Sequence, residues 1–304
     1  MSASAEYIGR FAPSPTGDLH FGSLLAALAS YCDAKQAQGL WQLRIDDIDP
    51  PRENPCAADR IQTTLTQYGF RWDGPTQFQS QRLGYYTQKL HELNSANQLY
   101  ACTCSRKQLQ GARIYPGNCA PALADTASAA AQVAQKINHT DADVALRLKV
   151  NSNVSFNDLI QNHQTFHVGM DIGDTIVLRR DGLFAYALCC AIDDADQVTH
   201  VVRGADLLAT TGAQLQVIHS LGLNAPNYAH IPVASNVQGQ KLSKQTMAQA
   251  IQTMNALDTL KAAWHFLGQS DVRANTVKDF WDSAISLWNL ARVPKCSQVQ
   301  TEIN

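Results

Sequence analysis

No apolar run in this 304-residue chain approaches the roughly 20 residues that a bilayer-spanning helix requires. The N-terminus also lacks the basic-then-apolar pattern of a secretory leader. These absences argue against a membrane-embedded or exported protein, so the cytoplasm is the expected compartment and no membrane partner is expected. Positive charge is scarce too: 24 Lys and Arg stand against 26 Asp and Glu, a formal net charge of −2. Phosphate contacts drive affinity for nucleic acid, and its binders are usually basic. The balance speaks against extensive nucleic-acid contact while leaving room for a local basic stripe. There is no internal repeat. In a chain without a leader the eight cysteines are expected as thiols or metal ligands. Cys32, Cys189 and Cys190 lie in apolar segments as packing thiols, and Cys56 and Cys296 receive no role. What remains, 45% apolar residues with ordinary charge content, describes a folded protein with one large core or two modest ones.

Two segments carry chemistry. Tyr7 to Phe11 suits a short buried strand and leads into a loop rich in Pro, Ser and Gly. From Phe21 to Gln38 apolar and small residues recur at helical spacing, with Gly39 as a stop, and Leu40 to Asp46 reads as a second strand. The result is β-α-β, the unit of a parallel sheet. Such a helix start offers unpaired N–H groups and a positive dipole end to phosphate. His20 there could donate to phosphate oxygens, and Gly22 would let an adenine ring approach the backbone. Taken alone, this is equally a satisfied histidine and a packing glycine. The second segment, Lys241-Leu242-Ser243-Lys244, follows Gly239 in a polar stretch. Two lysines three apart suit closure over a triphosphate, although alone they make a solvated basic turn. Together the segments are far more specific than either.

Between them, Arg52 to Tyr68 and Gln81 to Asn97 read as amphipathic helices. The chain then changes character. Cys102-x-Cys104 and Tyr115-x-x-x-Cys119 place three thiols and a phenol within eighteen residues, around a loop containing Gly111, Pro116 and Gly117. From spacing alone, tetrahedral zinc and reduced, unligated thiols both remain open. Thr175 to Leu178 and Leu183 to Cys190 flank an Asp181-Gly182 turn and read as a hairpin, and Thr246 to Phe266 reads as a helix. The expected organisation is a first catalytic half at 1–100, an insertion at 101–170, a second catalytic half at 171–245 and a helical region at 246–304.

Six motifs occur in collinear order over about residues 7–245: Arg10-Phe11-Ala12-Pro13-Ser14-Pro15, His20-Phe21-Gly22-Ser23, Leu43 to Pro50, Arg180 to Tyr186, Val202 to Leu207, and Lys241 to Lys244. With them the chain resembles the catalytic core of class I glutamyl-tRNA synthetases, and most closely their truncated branch, the glutamyl-Q tRNA(Asp) synthetases. The resemblance implies an α/β fold with a Rossmann-type parallel sheet, an inserted zinc-containing α+β subdomain and a short C-terminal helical region. It also implies activation of L-glutamate by ATP with Mg²⁺. His20, Lys241 and Lys244 would be catalytic, and Pro13, Gly22, Ser23 and Ser243 would complete the ATP site. Arg10, Phe11, Ala12, Pro13, Ser14, Asp46, Tyr186 and Arg203 would hold glutamate, arginine forks being the chemical match for carboxylates. Cys102, Cys104, Tyr115 and Cys119 would hold one structural Zn²⁺. One residue departs from the family pattern: Asp46 stands where a glutamate is usual, one methylene shorter. Without the resemblance, Tyr186 reads as core and Arg203 as an ion-pair partner. Asp193, Asp194 and Asp196 read as polar structural groups.

The acceptor is argued from length. A compact globule of this size has a radius of gyration of about 19 Å, too small to hold both ends of a tRNA, and 60 residues after Lys244 leave no anticodon module. The truncated branch presents the anticodon stem-loop itself to the active site and glutamylates queuosine at the wobble position of tRNA(Asp). A monomer acting in this way is the expectation. The alternatives are a minimal glutamyl-tRNA synthetase charging a 3′ end and a non-catalytic tRNA-binding paralogue.

Overall fold

The computed structural model describes residues 6–105, 107–112, 114–120, 126–139, 143–150, 152–167, 169–236 and 249–301. Strand β1 (Ile8–Phe11) leads through helix α1 (Phe21–Gln36) to β2 (Leu40–Ile45), and the two strands pair in parallel with Ile8 opposite Leu40. This is the β-α-β unit read from the sequence. Helix α2 (Ala57–Gln67) returns the chain to β3 (Gln77–Phe78), parallel to β2. Later in the chain β9 (His200–Gly204), helix α6 (Leu208–Ser220) and β10 (Asn227–Ile231) repeat the arrangement, with His230 directly opposite Arg203. Thr199 N–H donates to the Ile8 carbonyl (2.9 Å), so β9 runs beside β1 and the two parallel units share a seam.

The turn between α1 and β2 differs in detail from the expected glycine stop. Gln38 adopts the left-handed conformation (φ 56°). Gly39 is needed for another reason, because a Cβ there would lie 2.2 Å from the Tyr7 carbonyl oxygen. That carbonyl accepts the Leu40 N–H at 2.9 Å, so added bulk would part β1 from β2. Gly39→Ala is expected to cost roughly 1–3 kcal/mol, read as a lower urea midpoint at unchanged m-value.

The middle of the chain holds α3 (Leu83–Ser95), β4 (Leu99–Cys102), α4 (Thr126–Asn138) and β5 (Ala145–Leu148). A hairpin of β6 (Val154–Asp158) and β7 (Asn162–Phe166) follows, and then β8 (Thr175–Leu178). β4, β5 and β8 form one antiparallel sheet. The hairpin packs on α6, where a Cβ on Gly212 would come within 2.8 Å of the Phe166 ring.

The hairpin expected at Thr175 to Cys190 is corrected. After β8 only Leu178 and Phe184 bridge, and helix α5 (Tyr186–Gln197) begins where a strand was read. Its first half, Ala187 to Ile192, is buried all round, so the apolar run lacks the one-sided period that marks a surface helix.

At the end of the second catalytic half, β11 (Val233–Ser235) precedes α7 (Ala256–Phe266) and α8 (Val277–Leu287), and β12 (Gln298–Gln300) returns to pair in parallel with β11. The C-terminal segment is therefore not helical alone, and α7 starts ten residues later than the sequence suggested. α7 and α8 cover α1 with aromatics: Tyr31 meets Trp41, Phe70 and Trp281 edge-on, with centroids 4.9–5.3 Å apart. Trp281 Nε1–H donates to the Tyr68 carbonyl (2.9 Å) and Trp41 Nε1–H to Ser30 Oγ (3.0 Å), so the buried indoles are satisfied. Among the described residues, no helix is long and apolar enough to cross a membrane.

Candidate active site

The C-terminal ends of β1 and β9 and the N-terminus of α1 open onto one cavity of about 500 Å³, the place where parallel sheets bind ligands. Arg10, Phe11, Ala12, Pro13 and Ser14 line it from β1 and the following loop. His20, Gly22 and Ser23 line it from the helix start, Arg203 from β9 and Tyr186 from α5. The loop is pinned by Asp46 N–H donating to the Pro13 carbonyl (3.0 Å) and Asn54 N–H to the Pro15 carbonyl (2.9 Å). His20 is the N-cap of α1: its Nδ1 accepts the Ser23 N–H at 3.3 Å. That bond places the proton of the neutral ring on Nε2. Lys241, Ser243 and Lys244 lie outside the described residues. Past them, Ala250 bridges to His20, and Ile251 N–H donates to the Leu19 carbonyl (3.0 Å).

The two arginines are held in different ways. Arg10 forks onto Asp194 (Nε 3.1 Å, Nη2 2.8 Å), and both groups are buried. Arg203 is also buried, but every hydrogen-bond partner it has among the described residues is neutral. Its Nε–H donates to His230 Nε2 (3.0 Å), and Nη2 donates to Thr211 Oγ1 (2.8 Å) and Gln214 Oε1 (2.7 Å), while Nη1 has no partner among those residues. A buried guanidinium edge without an acceptor is costly unless an anion meets it.

Asp46 stands on a neighbouring cavity of about 400 Å³ that shares Ser14, Thr16 and Tyr186 with the first. Arg44 binds its carboxylate (Nε to Oδ1, 2.7 Å) and the Cys190 thiol donates to Oδ2 (3.4 Å). Burial pushes the Asp46 carboxyl above its ordinary pKa, against the opposing pull of Arg44. The Tyr186 phenol is held well above its usual value by burial, with Cys190 and Asp46 alongside, so it remains a hydroxyl donor. Asp193 and Asp194 are buried and occupied by side-chain donors. Asp193 accepts from Gln79, Arg82 and Tyr86, and Asp194 from Arg10 and Arg44.

At the other end of the β4–β5–β8 sheet, Cys102, Cys104 and Cys119 bring their sulfurs within 4.8 Å of one another, among the described residues a cluster that could hold a metal. The Tyr115 hydroxyl lies 3.4 Å from Cys102 Sγ and 3.7 Å from Cys104 Sγ. Tetrahedral zinc with ~2.3 Å bonds separates thiolates by about 3.8 Å, so the four groups fit one ion. Burial opposes the Cys119 thiolate. Hydrogen bonds from Tyr115, the Thr103 backbone and Cys104 prevail and bring its pKa down to about 6.

Sequence reasoning missed Arg44, Cys190, Asp194 and His230 as parts of this site. Tyr186, Cys190 and Asp194 are spaced four residues apart on one face of α5, a pattern visible only once the segment is read as a helix.

Fold and cavity define a class I tRNA synthetase catalytic domain. Residues 8–280 match the family model described as tRNA synthetases class I (E and Q), catalytic domain, and the chain is a ligase of that class. It is 42% identical to a curated relative from Aromatoleum aromaticum named glutamyl-Q tRNA(Asp) synthetase, over 99% of this chain and 94% of that one. A relative of the same name from Pseudomonas aeruginosa is 40% identical over 98% and 99%. The chain belongs to the glutamyl-Q tRNA(Asp) synthetase family. Its fold also matches a glutamate tRNA ligase from Elizabethkingia meningosepticum, solved in complex with its amino acid, with a TM-score of 0.77 at 22% identity, over 98% of this chain and 67% of that one.

Proposed function

We propose that the chain activates L-glutamate with ATP and transfers the glutamyl group to queuosine in the anticodon of tRNA(Asp). The observation that carries the activation step is the shared cavity, where the His20-capped helix start faces two buried arginines. A phosphate chain fits the helix end, whose first-turn amides and the His20 Nε2–H are donors. By resemblance, glutamate's carboxylates would meet Arg10 and Arg203 and its ammonium Asp46, with Tyr186 and Ser14 in the lining that the two cavities share. A glutamate carboxylate oxygen would attack the α-phosphorus and pyrophosphate would leave; a queuosine cyclopentenediol hydroxyl would then attack the glutamyl carbonyl, and AMP would leave. The protein contributes positioning and stabilisation of negative charge. Mg²⁺ carried with ATP would neutralise part of the phosphate charge. By resemblance, Lys241 and Lys244 supply the remaining positive charge, with Ser243 completing the nucleotide site. The queuosine acceptor rests on the relatives' names, which cover nearly their whole length.

The test is glutamate-dependent ATP–pyrophosphate exchange without tRNA, followed by transfer of labelled glutamate to tRNA(Asp) with and without queuosine. Label on the queuosine-containing tRNA alone, recovered in the anticodon fragment after nuclease digestion, is expected. Label recovered on the 3′-terminal adenosine would instead mean ordinary charging.

We also propose one structural zinc on Cys102, Cys104, Tyr115 and Cys119. Metal analysis is expected to find about one zinc per chain, with chelation lowering the melting temperature. Protein that holds no zinc and reacts freely with thiol reagents would exclude it.

A further inference from the structure

His230 is buried among groups that leave its ring no freedom. It sits opposite Arg203 in the β9–β10 register. The Arg203 Nε can only donate, so His230 Nε2 must accept. The ring proton therefore lies on Nδ1, which donates to Asp158 Oδ2 at 2.5 Å. Asp158 ends β6 and is itself fixed. Its Oδ1 accepts the backbone N–H groups of Ile160 (3.0 Å), Gln161 (2.8 Å) and His230 (3.1 Å). The side chain of Gln161 then reaches back to the His230 carbonyl (2.8 Å). The tip of the β6–β7 hairpin thus grips the strand that carries the histidine, which in turn orients the arginine whose Nη1 has no partner among the described residues.

We propose that His230 is a positioning residue for the cavity: as an acceptor it fixes the Arg203 guanidinium so that Nη1 meets a substrate carboxylate, and through Asp158 it ties that placement to the β6–β7 hairpin. The proposal rests on the reading of this cavity as the amino-acid site. Protonation of His230 would set donor against donor at Arg203 Nε and release the arginine. The charged and titratable groups facing the ring are Arg203 of β9, Asp206 just after it, Asp158 of β6 and Tyr228 of its own strand, whose ring stacks 6.0 Å away. Thr211 and Gln214 of α6 are neutral. Burial lowers the pKa of His230, only partly opposed by Asp158, and Arg203 lowers it further, so the neutral form persists below the ordinary histidine range. The arrangement is intact at neutral pH and fails as pH falls through that lowered value.

Glutamate-dependent exchange by the wild-type chain comes first, because its absence refutes the amino-acid reading rather than this one. Given exchange, His230→Ala is expected to raise the KM for glutamate about tenfold, the loss of one hydrogen bond to a charged group. The KM for ATP and kcat should change less than roughly threefold on the same grounds. His230→Gln, whose amide oxygen can accept from Nε–H, should recover most of the loss. In the wild type the KM for glutamate should stay level near neutral pH and climb only as pH falls below the ordinary histidine value of about 6.5, and in His230→Gln that climb should vanish. An unchanged KM in His230→Ala, or identical pH profiles for wild type and His230→Gln, overturns the proposal. If His230→Ala fails to fold, the comparison of wild type with His230→Gln decides it alone.

Discussion

Asp194→Ala is expected to be among the most damaging single substitutions in the chain, costing about 3–5 kcal/mol. The side chain is buried, and its two oxygens are divided between Arg10 (2.8 and 3.1 Å) and Arg44 (2.8 Å). Removing it leaves two buried guanidiniums facing each other. Arg44 keeps Asp46, but Arg10 loses the one carboxylate it pairs with among the described residues. A loss of that size takes a large share of the 5–15 kcal/mol that holds a domain together. It should appear as a collapse of the urea midpoint, with amino-acid activation lost in parallel as Arg10 swings free.

Asp194→Asn keeps the shape and isolates the charge. Burial opposes ionisation of Asp194, yet Arg10 and Arg44 overcome it and hold the carboxyl far below the ordinary value. A depressed folded pKa means that the unfolded chain takes up the proton first, so this stabilisation is complete above an unfolded pKa of about 3.9 and drains away as pH falls below it. The stability gap between wild type and Asp194→Asn should therefore be constant from pH 7 to 5 and narrow by about 1 kcal/mol at pH 3. A gap that does not narrow would mean that the carboxylate is not the ionised centre of the cluster.

The sequence was most legible where local pattern and chemistry coincide. β1, α1 and β2 followed from period and turn signals, and each β1-loop and helix-start residue singled out there lines the cavity. α5 was opaque for a physical reason: Tyr186-Ala-Leu-Cys-Cys-Ala-Ile is apolar on every side because the helix is buried on every side. Misreading it as a strand hid the alignment of Tyr186, Cys190 and Asp194. β12 pairs with a strand more than sixty residues earlier, and no local signal specifies such a contact. Arg10 and Arg203 were named by resemblance as candidate carboxylate forks, but their partners within the protein were not named. Asp194 lies 184 positions from Arg10, and His230 is a lone histidine in an apolar strand.

The second large effect concerns Arg203 and has the opposite sign in stability. Asp194→Ala should harm fold and function together, whereas Arg203→Met should separate them. Among the described residues no carboxylate forms an ion pair with Arg203, and its Nη1 is buried without a partner. A cation buried without a counter-charge costs desolvation free energy that an apolar side chain of similar volume avoids, and this gain is expected to offset the donors lost to His230, Thr211 and Gln214. Arg203→Met should therefore leave the melting temperature unchanged or higher. The same substitution removes the guanidinium edge available to a carboxylate, a charge-assisted contact of up to roughly 3 kcal/mol. The KM for glutamate in pyrophosphate exchange should rise about 100-fold, while the KM for ATP stays near the wild-type value. Had Arg203 been an ordinary structural ion-pair partner, Arg203→Met would lower stability and leave glutamate affinity nearly intact. On the proposed reading, a buried charge that weakens the fold would be explained by the anion it receives, and this substitution measures both sides of that exchange in one protein.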